Sequence, residues 1–304
     1  MLTTAELRAL SKPSARHSTQ AILSDWLGIV LILALSVRFP TPWVWLPAML
    51  VMGRQQLGLA ILMHDGAHRR LFDSPKLNDT LGQLLLAGPL WFSMHSYRLL
   101  HMKHHKAPLA PDDPDISLTG GYPVPWSSFL RKLARDLTGV SYLKFIRYFI
   151  YAARNRQAQR VKEHAQIRER DRPTTWFLAL SMLATNGLIF VVLTSLAHPG
   201  LFLLLWLFPS MSVLQVLLRI RGVAEHAGYE PGDDQRYNSR TVTSLWQAWW
   251  LAPHFVNYHI EHHLYPSVPF YNLRQVHQLM KDRDALPATN VFAGYDDVVR
   301  SLVR

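Results

Sequence analysis

Four long apolar runs are the clearest feature of the sequence. Two of them, from Thr174 to Ala197 and from Leu201 to Leu218, contain no charged residue, and only three residues separate them. A helix needs about 18–20 predominantly apolar residues to cross the hydrocarbon core of a bilayer. Each run therefore predicts a membrane-spanning helix, and the short connection predicts that the two form a hairpin.

A second pair of apolar runs, residues 22–37 and 43–63, predicts another hairpin around a proline-rich turn. Arg54, Gln55 and Gln56 interrupt the second of these runs. A charge exposed to lipid at mid-membrane costs about 2.5 kcal/mol or more, so we expect these polar side chains to face the protein interior. The alternative is a shorter span that ends before them.

Four spans place both termini on one side of the membrane, together with residues 64–172 and 219–304. The fold class predicted is therefore an all-α, multi-pass membrane protein of one domain, with four transmembrane helices in two hairpins and a helical cap. Arginine and lysine are frequent between residues 131 and 172, and the positive-inside rule assigns this side to the cytoplasm. A bacterial inner membrane is the location we expect, with the endoplasmic reticulum as the alternative.

Shorter segments complete the predicted cap. Leu81 to Met94 is uncharged but too short to span, which predicts an interfacial or re-entrant helix. Val140 to Ala152 mixes aromatic and basic residues and predicts a helix on the membrane surface. The first 20 residues are polar and lack the pattern of a secretory signal, which predicts a tail with a short interfacial helix.

Composition and charge narrow the function classes. The formal net charge is +11, but 49% of the residues are hydrophobic and no nucleic-acid-binding motif is present, so the basic character suits membrane lipids and not nucleic acid. The chain has no cysteine, so it offers no thiolate for an iron–sulfur cluster or a thiolate-ligated haem. Any electrons that its chemistry consumes are expected to come from a separate protein.

Eight histidines fall into three tight clusters. With 15 histidines in 304 residues, only about 0.04 triples of the form HxxHH are expected by chance, yet two are present. Offsets of three and four residues place side chains on one face of a helix, where they can converge on a metal. The clusters are His64 and His68; His101, His104 and His105; and His259, His262 and His263.

The metal follows from the type and number of these ligands. Imidazole binds zinc, copper, iron and nickel, and the softer thiolate ligands are absent. A single zinc ion needs three or four protein ligands, whereas eight or nine histidines suffice for two metals that each keep an open position. Two iron ions that bind dioxygen as co-substrate are the leading interpretation, with a zinc hydrolase or a metal transporter as alternatives.

The motifs HDGAH, HMKHH and HIEHH, in this order relative to two hydrophobic hairpins, resemble the integral-membrane fatty acid desaturases and the related hydroxylases and ketolases. The segment LYPSVP, which follows the last motif, also resembles the segment at that place in these enzymes. The resemblance implies a further metal ligand just after the fourth span, which here corresponds to His226. An asparagine expected four residues earlier in acyl-CoA desaturases is replaced by Gly222 in this chain.

The reaction implied by the resemblance is the O2-dependent desaturation of a long-chain acyl lipid or acyl thioester. A hydroxylase or ketolase that acts on a lipid, an alkane or a carotenoid is the alternative, because it would use the same scaffold. The resemblance also implies a ferredoxin, or cytochrome b5 with its reductase, as electron donor. Double-bond position, head group and oligomeric state do not follow from the sequence.

Other polar residues near the clusters are expected to support the site or to pack beside it. Asp65, Glu225 and Glu261 adjoin predicted ligands and are candidates for orienting imidazole N–H groups. Further candidates for a supporting role are His95, His254, His277 and Asn257. Residues 112–115 resemble the turn that follows the second motif in the family. Trp246, Trp249 and Trp250 are expected either at the membrane interface or in the core.

Overall fold

The computed structural model describes residues 1–144, 146–147, 173–230 and 238–304. The described chain is mostly helical, and four of its helices are long and apolar enough to cross a membrane. These four are α2 (Ala15–Arg38), α3 (Pro42–Ala67), α8 (Thr175–Leu196) and α9 (Gly200–His226). The remaining helices are α1 (Thr4–Leu10), α4 (Pro75–Gly82), α5 (Met94–Lys106), α6 (Ile116–Thr119), α7 (Trp126–Leu137), α10 (Leu245–Leu251), α11 (His259–Leu264), α12 (Leu273–Asp282) and α13 (Tyr295–Leu302).

The four predicted spans are present, and their helices extend beyond the apolar runs. α2 begins seven residues before the predicted start, and α9 continues eight residues past the predicted end to His226. Backbone hydrogen bonds continue a helix through polar residues once the helix leaves the apolar layer. Within α9, a π-helical turn covers Leu203–Leu207, and the backbone departs from helical geometry at Ser212.

The polar residues that interrupt the second span face the interior, as predicted. Arg54, Gln55 and Gln56 are all buried. Arg54 contacts the buried Asp25 of α2 at 3.5 Å, and Gln56 donates through Nε2 to the carbonyl of Trp206 at 2.8 Å. Because every one of these side chains has a protein partner, none is exposed to lipid.

The predicted short apolar helix packs against two of the long apolar helices. It begins earlier than predicted, as α4, and continues through a π-helical turn, Gln83–Ala87, and a 3-10 turn, Gly88–Leu90. The carbonyl of Gly88 accepts from Nδ2 of Asn186 at 3.2 Å, and Trp26 donates to the carbonyl of Leu85 at 3.0 Å. Asn186 and Trp26 lie near the middle of α8 and α2, and whether the segment is interfacial or re-entrant stays a prediction.

The predicted all-α fold class is confirmed in its main feature, since the described chain is mostly helical, and a small parallel sheet that was not predicted is added to it. β1 (Thr241–Val242) pairs with β2 (Val291–Phe292), which joins the segment before the third histidine cluster to the segment before α13. Two residues on each side are too few to give a visible period of alternating polarity. The C-terminus adds a further bridge, because the Arg304 amide donates to the carbonyl of Val124 at 2.9 Å.

The N-terminal segment forms a docked helix. α1 has a capping box in which Thr3 and Glu6 satisfy each other's backbone N–H groups. Arg283 binds the Glu6 carboxylate at 2.5 Å, and Leu10 packs among residues of α12. The predicted tail is therefore attached to the C-terminal part of the chain. The predicted helix Val140 to Ala152 is described only at residues 140–144 and 146–147, which are helical. Most of the basic stretch 131–172 lies outside the described residues.

Candidate metal centre

Four helices carry the histidines toward one another. The first cluster lies at the C-terminal end of α3, the second on α5 and the third on α11, while His226 is the last residue of α9. Ser93 starts α5 at the required position, because its hydroxyl accepts the Ser96 amide as an N-cap at 3.2 Å. The structure brings all nine predicted histidines together, in two adjoining groups.

The first group, called here the five-histidine group, is made by α3, α5 and α11. Nε2 of His101 lies 3.0 Å from Nε2 of His68 and 2.9 Å from Nε2 of His105, which in turn lies 3.0 Å from Nε2 of His262. His64 completes the group, and both of its buried nitrogens lack a hydrogen-bond partner among the described residues. The members are His64, His68, His101, His105 and His262.

The second group, called here the four-histidine group, consists of His104, His226, His259 and His263. Nε2 of His226 lies 2.7 Å from Nε2 of His259 and 3.3 Å from Nε2 of His104. Nε2 of His263 lies 3.2 Å from Nε2 of His259. The two groups are in contact, because the rings of His105 and His263 stack with centroids 4.3 Å apart.

The nitrogen contacts themselves indicate a cation. Nδ1 of His104 faces a carboxylate and Nδ1 of His226 faces the carbonyl of Asn238 at 2.9 Å, so both Nδ1 atoms carry a proton. In the neutral rings, Nε2 of each then presents a lone pair, and these atoms are only 3.3 Å apart. Two facing lone pairs repel unless a proton or a metal cation lies between them. The donor set of the four-histidine group therefore fits a metal ion, and so do the two unpartnered nitrogens of His64 in the five-histidine group.

Burial keeps six of the ligand rings outside the spans in their neutral, metal-binding form. Burial and the neighbouring Arg70 and Arg98 lower the pKa of His68 to about 3. Burial, together with other histidines, also holds the pKa well below its ordinary value for His101, His105, His259, His262 and His263. Neutral imidazole is the state that binds metal, so these rings need no deprotonation before they coordinate.

Asp113 is the main polar partner of the four-histidine group. Its carboxylate lies 3.0 Å from Nδ1 of His104 and also accepts the backbone amides of Leu109 at 2.8 Å and Asp115 at 3.0 Å. Burial of His104 lowers its pKa, but the hydrogen bond and charge of Asp113 and Asp115 more than offset this, so the pKa is raised. The same negative charge would stabilise a metal ion on the other side of the ring.

Glu225 adds a carboxylate at the edge of the four-histidine group. One of its oxygens lies 3.5 Å from Nε2 of His259, and the other accepts from Nε of Arg221 at 2.7 Å. Arg221 and Glu225 both belong to α9 and lie one turn apart. Gly222 lies on the same helix beside Leu118, so this position offers no side-chain ligand.

The other predicted neighbours have different partners from those expected. The Asp65 carboxylate accepts the Phe270 amide at 3.1 Å and lies 4.0 Å from His64, beyond hydrogen-bond distance. Glu261 binds Nδ1 of His277 at 2.5 Å and therefore supports a histidine outside both groups. The remaining supporting candidates, His254 and Asn257, contact Asp25 at 2.7 Å and the carbonyl of Val242 at 2.7 Å.

Arg98 is a structural residue that the sequence patterns did not indicate. It is buried on α5, and its guanidinium donates to the carbonyls of Ala67 at 2.7 Å and Gly66 at 2.9 Å. The same group binds Asp79 at 2.5 Å. Arg98 thus connects the C-terminal end of α3, next to His64 and His68, to the helix that carries the second cluster.

Comparison with known proteins gives consistent matches. The profile described as Fatty acid desaturase matches residues 40–292. Dihydrorhizobitoxine desaturase of Bradyrhizobium elkanii is 26% identical over 78% of this chain and 68% of that protein. The sn-1 oleoyl-lipid 12-desaturase of a Picosynechococcus species is 24% identical over 79% of this chain and 70% of its own length. A Paracoccus β-carotene ketolase is 25% identical, over 71% and 72% respectively.

Proposed function

Because the chain belongs to the fatty acid desaturase family and is an oxidoreductase, we propose that it is a membrane-bound di-iron enzyme that uses O2 to introduce a double bond into the acyl chain of a lipid. The observation that carries this proposal is the convergence of nine buried or half-buried imidazoles in two adjoining groups. Each group holds one iron ion: His64, His68, His101, His105 and His262 hold the first, and His104, His226, His259 and His263 hold the second.

Bound iron supplies the power to activate O2 and to cleave an unactivated C–H bond. The overall reaction converts –CH2–CH2– to –CH=CH– and reduces O2 to two waters, with two electrons and two protons supplied from outside. The residues of the chain hold the ligand rings neutral, keep the centre dry and position the substrate. An external electron donor, a ferredoxin or cytochrome b5 with its reductase, is part of the proposal, since the chain has no cysteine for an iron–sulfur cluster.

The arrangement in the membrane is also proposed. The four spans form two hairpins, and the histidine-bearing segments form a cap on the cytoplasmic side of a bacterial inner membrane. The chain has no cysteine, so single cysteines report topology cleanly. We expect the variant Lys76→Cys to react with a membrane-impermeant maleimide only from the cytoplasm, and His198→Cys only from the opposite side. The reverse pattern would invert the proposed orientation.

The test of the reaction is gas chromatography–mass spectrometry of total lipids from aerobic cells that also express a ferredoxin and its reductase. Wild-type protein is expected to give a new unsaturated acyl chain, and His104→Ala is expected to give none. Purified wild-type protein should contain about two irons per chain and no stoichiometric zinc, because the proposed oxidation needs a redox-active metal and zinc has no redox chemistry. Zinc in place of iron, or a product formed without O2, would overturn the proposal.

A hydroxylated or ketone product is the second candidate, and the similarity to a β-carotene ketolase is the observation that favours it. Hydroxylation consumes the same O2 and electrons but transfers one oxygen atom to carbon and releases one water. Growth under 18O2 distinguishes the two reactions, since a hydroxylated lipid carries the label and an alkene does not.

A further inference from the structure

An apolar cleft of about 400 Å³ lies between α9, α10 and α13, with α7 at one side. Its volume falls within the range of pockets that bind small molecules. Leu217 and Ile220 of α9 form one wall, and Trp246 and Trp250 of α10 form the second. α13 closes the third side with Tyr295 and Val299.

Two polar side chains of the lining, Gln247 and Asp296, are engaged with each other. Gln247 donates through Nε2 to the carboxylate of Asp296 at 2.8 Å, and its carbonyl oxygen accepts the Tyr295 amide at 2.6 Å. These bonds fasten α10 to the first turn of α13. The surface that remains toward the cleft is aliphatic and aromatic, so its occupant must be apolar.

The cleft lies at the edge of the apolar layer. Leu217 is the second-last residue of the apolar run 201–218, and the exposed Asp296 also lines the cleft. The carbonyl of Trp249, on α10, accepts from Nε of Arg54 at 2.8 Å, so α10 packs against the span α3. Trp246 forms the outer rim, with 71% of its surface exposed, and an exposed tryptophan is typical of a membrane interface. The cleft therefore opens sideways at the edge of the apolar layer.

The inner wall of the cleft belongs to α9, the helix that ends at His226 of the four-histidine group. Tyr295 is 2% exposed, and its hydroxyl has no hydrogen-bond partner among the described residues. Ile220 precedes Arg221, whose guanidinium binds Glu225 at 2.7 Å, and Glu225 lies 3.5 Å from Nε2 of His259. Burial, and next the charge of Glu225, raise the pKa of Tyr295.

We propose that this cleft is the lateral portal through which a single acyl chain passes from the bilayer toward the metal centre. This inference rests on the proposed function and assigns the path of its substrate. The chain enters past Trp246, lies along Leu217 and Val299, and reaches Tyr295 beside the Arg221–Glu225 pair. A lipid-resident substrate thus approaches from the edge of the apolar layer.

Photolabelling tests the portal directly. Protein in lipid nanodiscs is irradiated with a trace of an 18-carbon fatty acid that carries a diazirine at mid-chain, and adducts are mapped by peptide mass spectrometry. We expect adducts to be enriched on peptides that contain residues 245–251 and 295–302, above those on the lipid-facing surface of α8. Adducts spread evenly over all lipid-facing surfaces would show ordinary bilayer contact and overturn the portal.

Val299→Phe is the blocking variant, and Val191→Phe is its matched control, because Val191 lies on α8 with 58% of its surface exposed. The phenyl ring at position 299 fills part of the cleft, so Val299→Phe should lower cleft labelling by about fivefold or more, and Val191→Phe should not change it. Size-exclusion profile and iron content verify that each variant is folded. If Val299→Phe does not fold, Val299→Ala widens the cleft and should raise labelling; unchanged labelling in the folded variant would contradict the portal.

Failure of the portal and failure of the proposed function give different results. Cleft labelling without an oxidised lipid product would leave the portal standing and refute the reaction. Product formed by wild type, with no cleft labelling and with full activity in Val299→Phe, would refute the portal and leave the reaction standing.

Discussion

The two histidine groups lie side by side but are positioned in different ways. The five-histidine group depends on its backbone, because Arg98 binds the carbonyls at the end of α3 and holds α3 against α5. In the four-histidine group, His104 and His226 are each held through Nδ1, by Asp113 and by the carbonyl of Asn238. We expect a group with five ligands to tolerate the loss of one more easily than a group with four.

The largest effect on iron content and product formation is expected from two separate variants, each of which removes one ligand from one of the groups. His226→Ala leaves three imidazoles in its group, so iron should fall from about two per chain to about one. His68→Ala leaves four, so we expect it to retain more iron than His226→Ala. Both variants should lose at least about 100-fold of product formation, since ligand geometry is disturbed in each. Iron is measured by plasma mass spectrometry after identical purification.

His198→Ala is the control for the ligand variants, since His198 is an exposed histidine on the loop between α8 and α9. It should retain the iron content and activity of the wild type. If His68→Ala loses more iron than His226→Ala, the number of ligands does not decide retention, and the comparison between the groups is wrong.

A smaller effect on metal affinity is expected from removing the charge of the carboxylate that contacts Nδ1 of His104. Asp113→Asn removes the negative charge but keeps the size of the side chain, and loss of such a partner costs about 10–100-fold in metal affinity or activity. The neighbouring Asp112→Asn is a matched control, because Asp112 is exposed and binds only Lys103, at 2.8 Å, among the contacts seen in the described chain. Metal affinity is measured by competition with a chelator.

Equal losses in the two aspartate variants would mean that the general charge of the turn matters and not the contact with His104. A loss confined to Asp113→Asn, and confined to one of the two irons, would confirm that the four-histidine group depends on its side-chain partners.

Local spacing made the histidines predictable, whereas long-range contacts did not follow from the sequence. His101, His104 and His105 share a helix face because of their offsets, and that geometry depends only on the helix. His226 was placed by family resemblance. The pairing of His104 with Asp113 depends on a turn whose carboxylate also binds two backbone amides, and no period in the sequence encodes that geometry.

The fold shows the same division. The spans were predictable from length and hydropathy, and the interior position of Arg54 followed from the cost of a charge in lipid. The partner of Arg54 was not predictable, because Asp25 and Trp249 come from segments 29 and 195 residues away. The two-residue strands and the cleft beside Tyr295 likewise arise from the packing of the C-terminal segments against α9.

The smallest effect on metal binding is expected from Arg98→Met, which tests the backbone support of the five-histidine group. The variant leaves the carbonyls of Gly66 and Ala67, and part of the Asp79 carboxylate, without their donor, and lost hydrogen bonds to a charged group cost about 1.5–3 kcal/mol. The apparent Tm should fall by roughly 5 °C or more for a chain of this size. Iron affinity should fall by less than about tenfold, since every imidazole keeps its own partners.

Arg131→Met, at an exposed arginine of α7, is the control and should change neither the Tm nor the iron affinity. Complete loss of iron at an unchanged Tm would show that Arg98 acts on the metal site itself, and the distinction between backbone and side-chain support would fail.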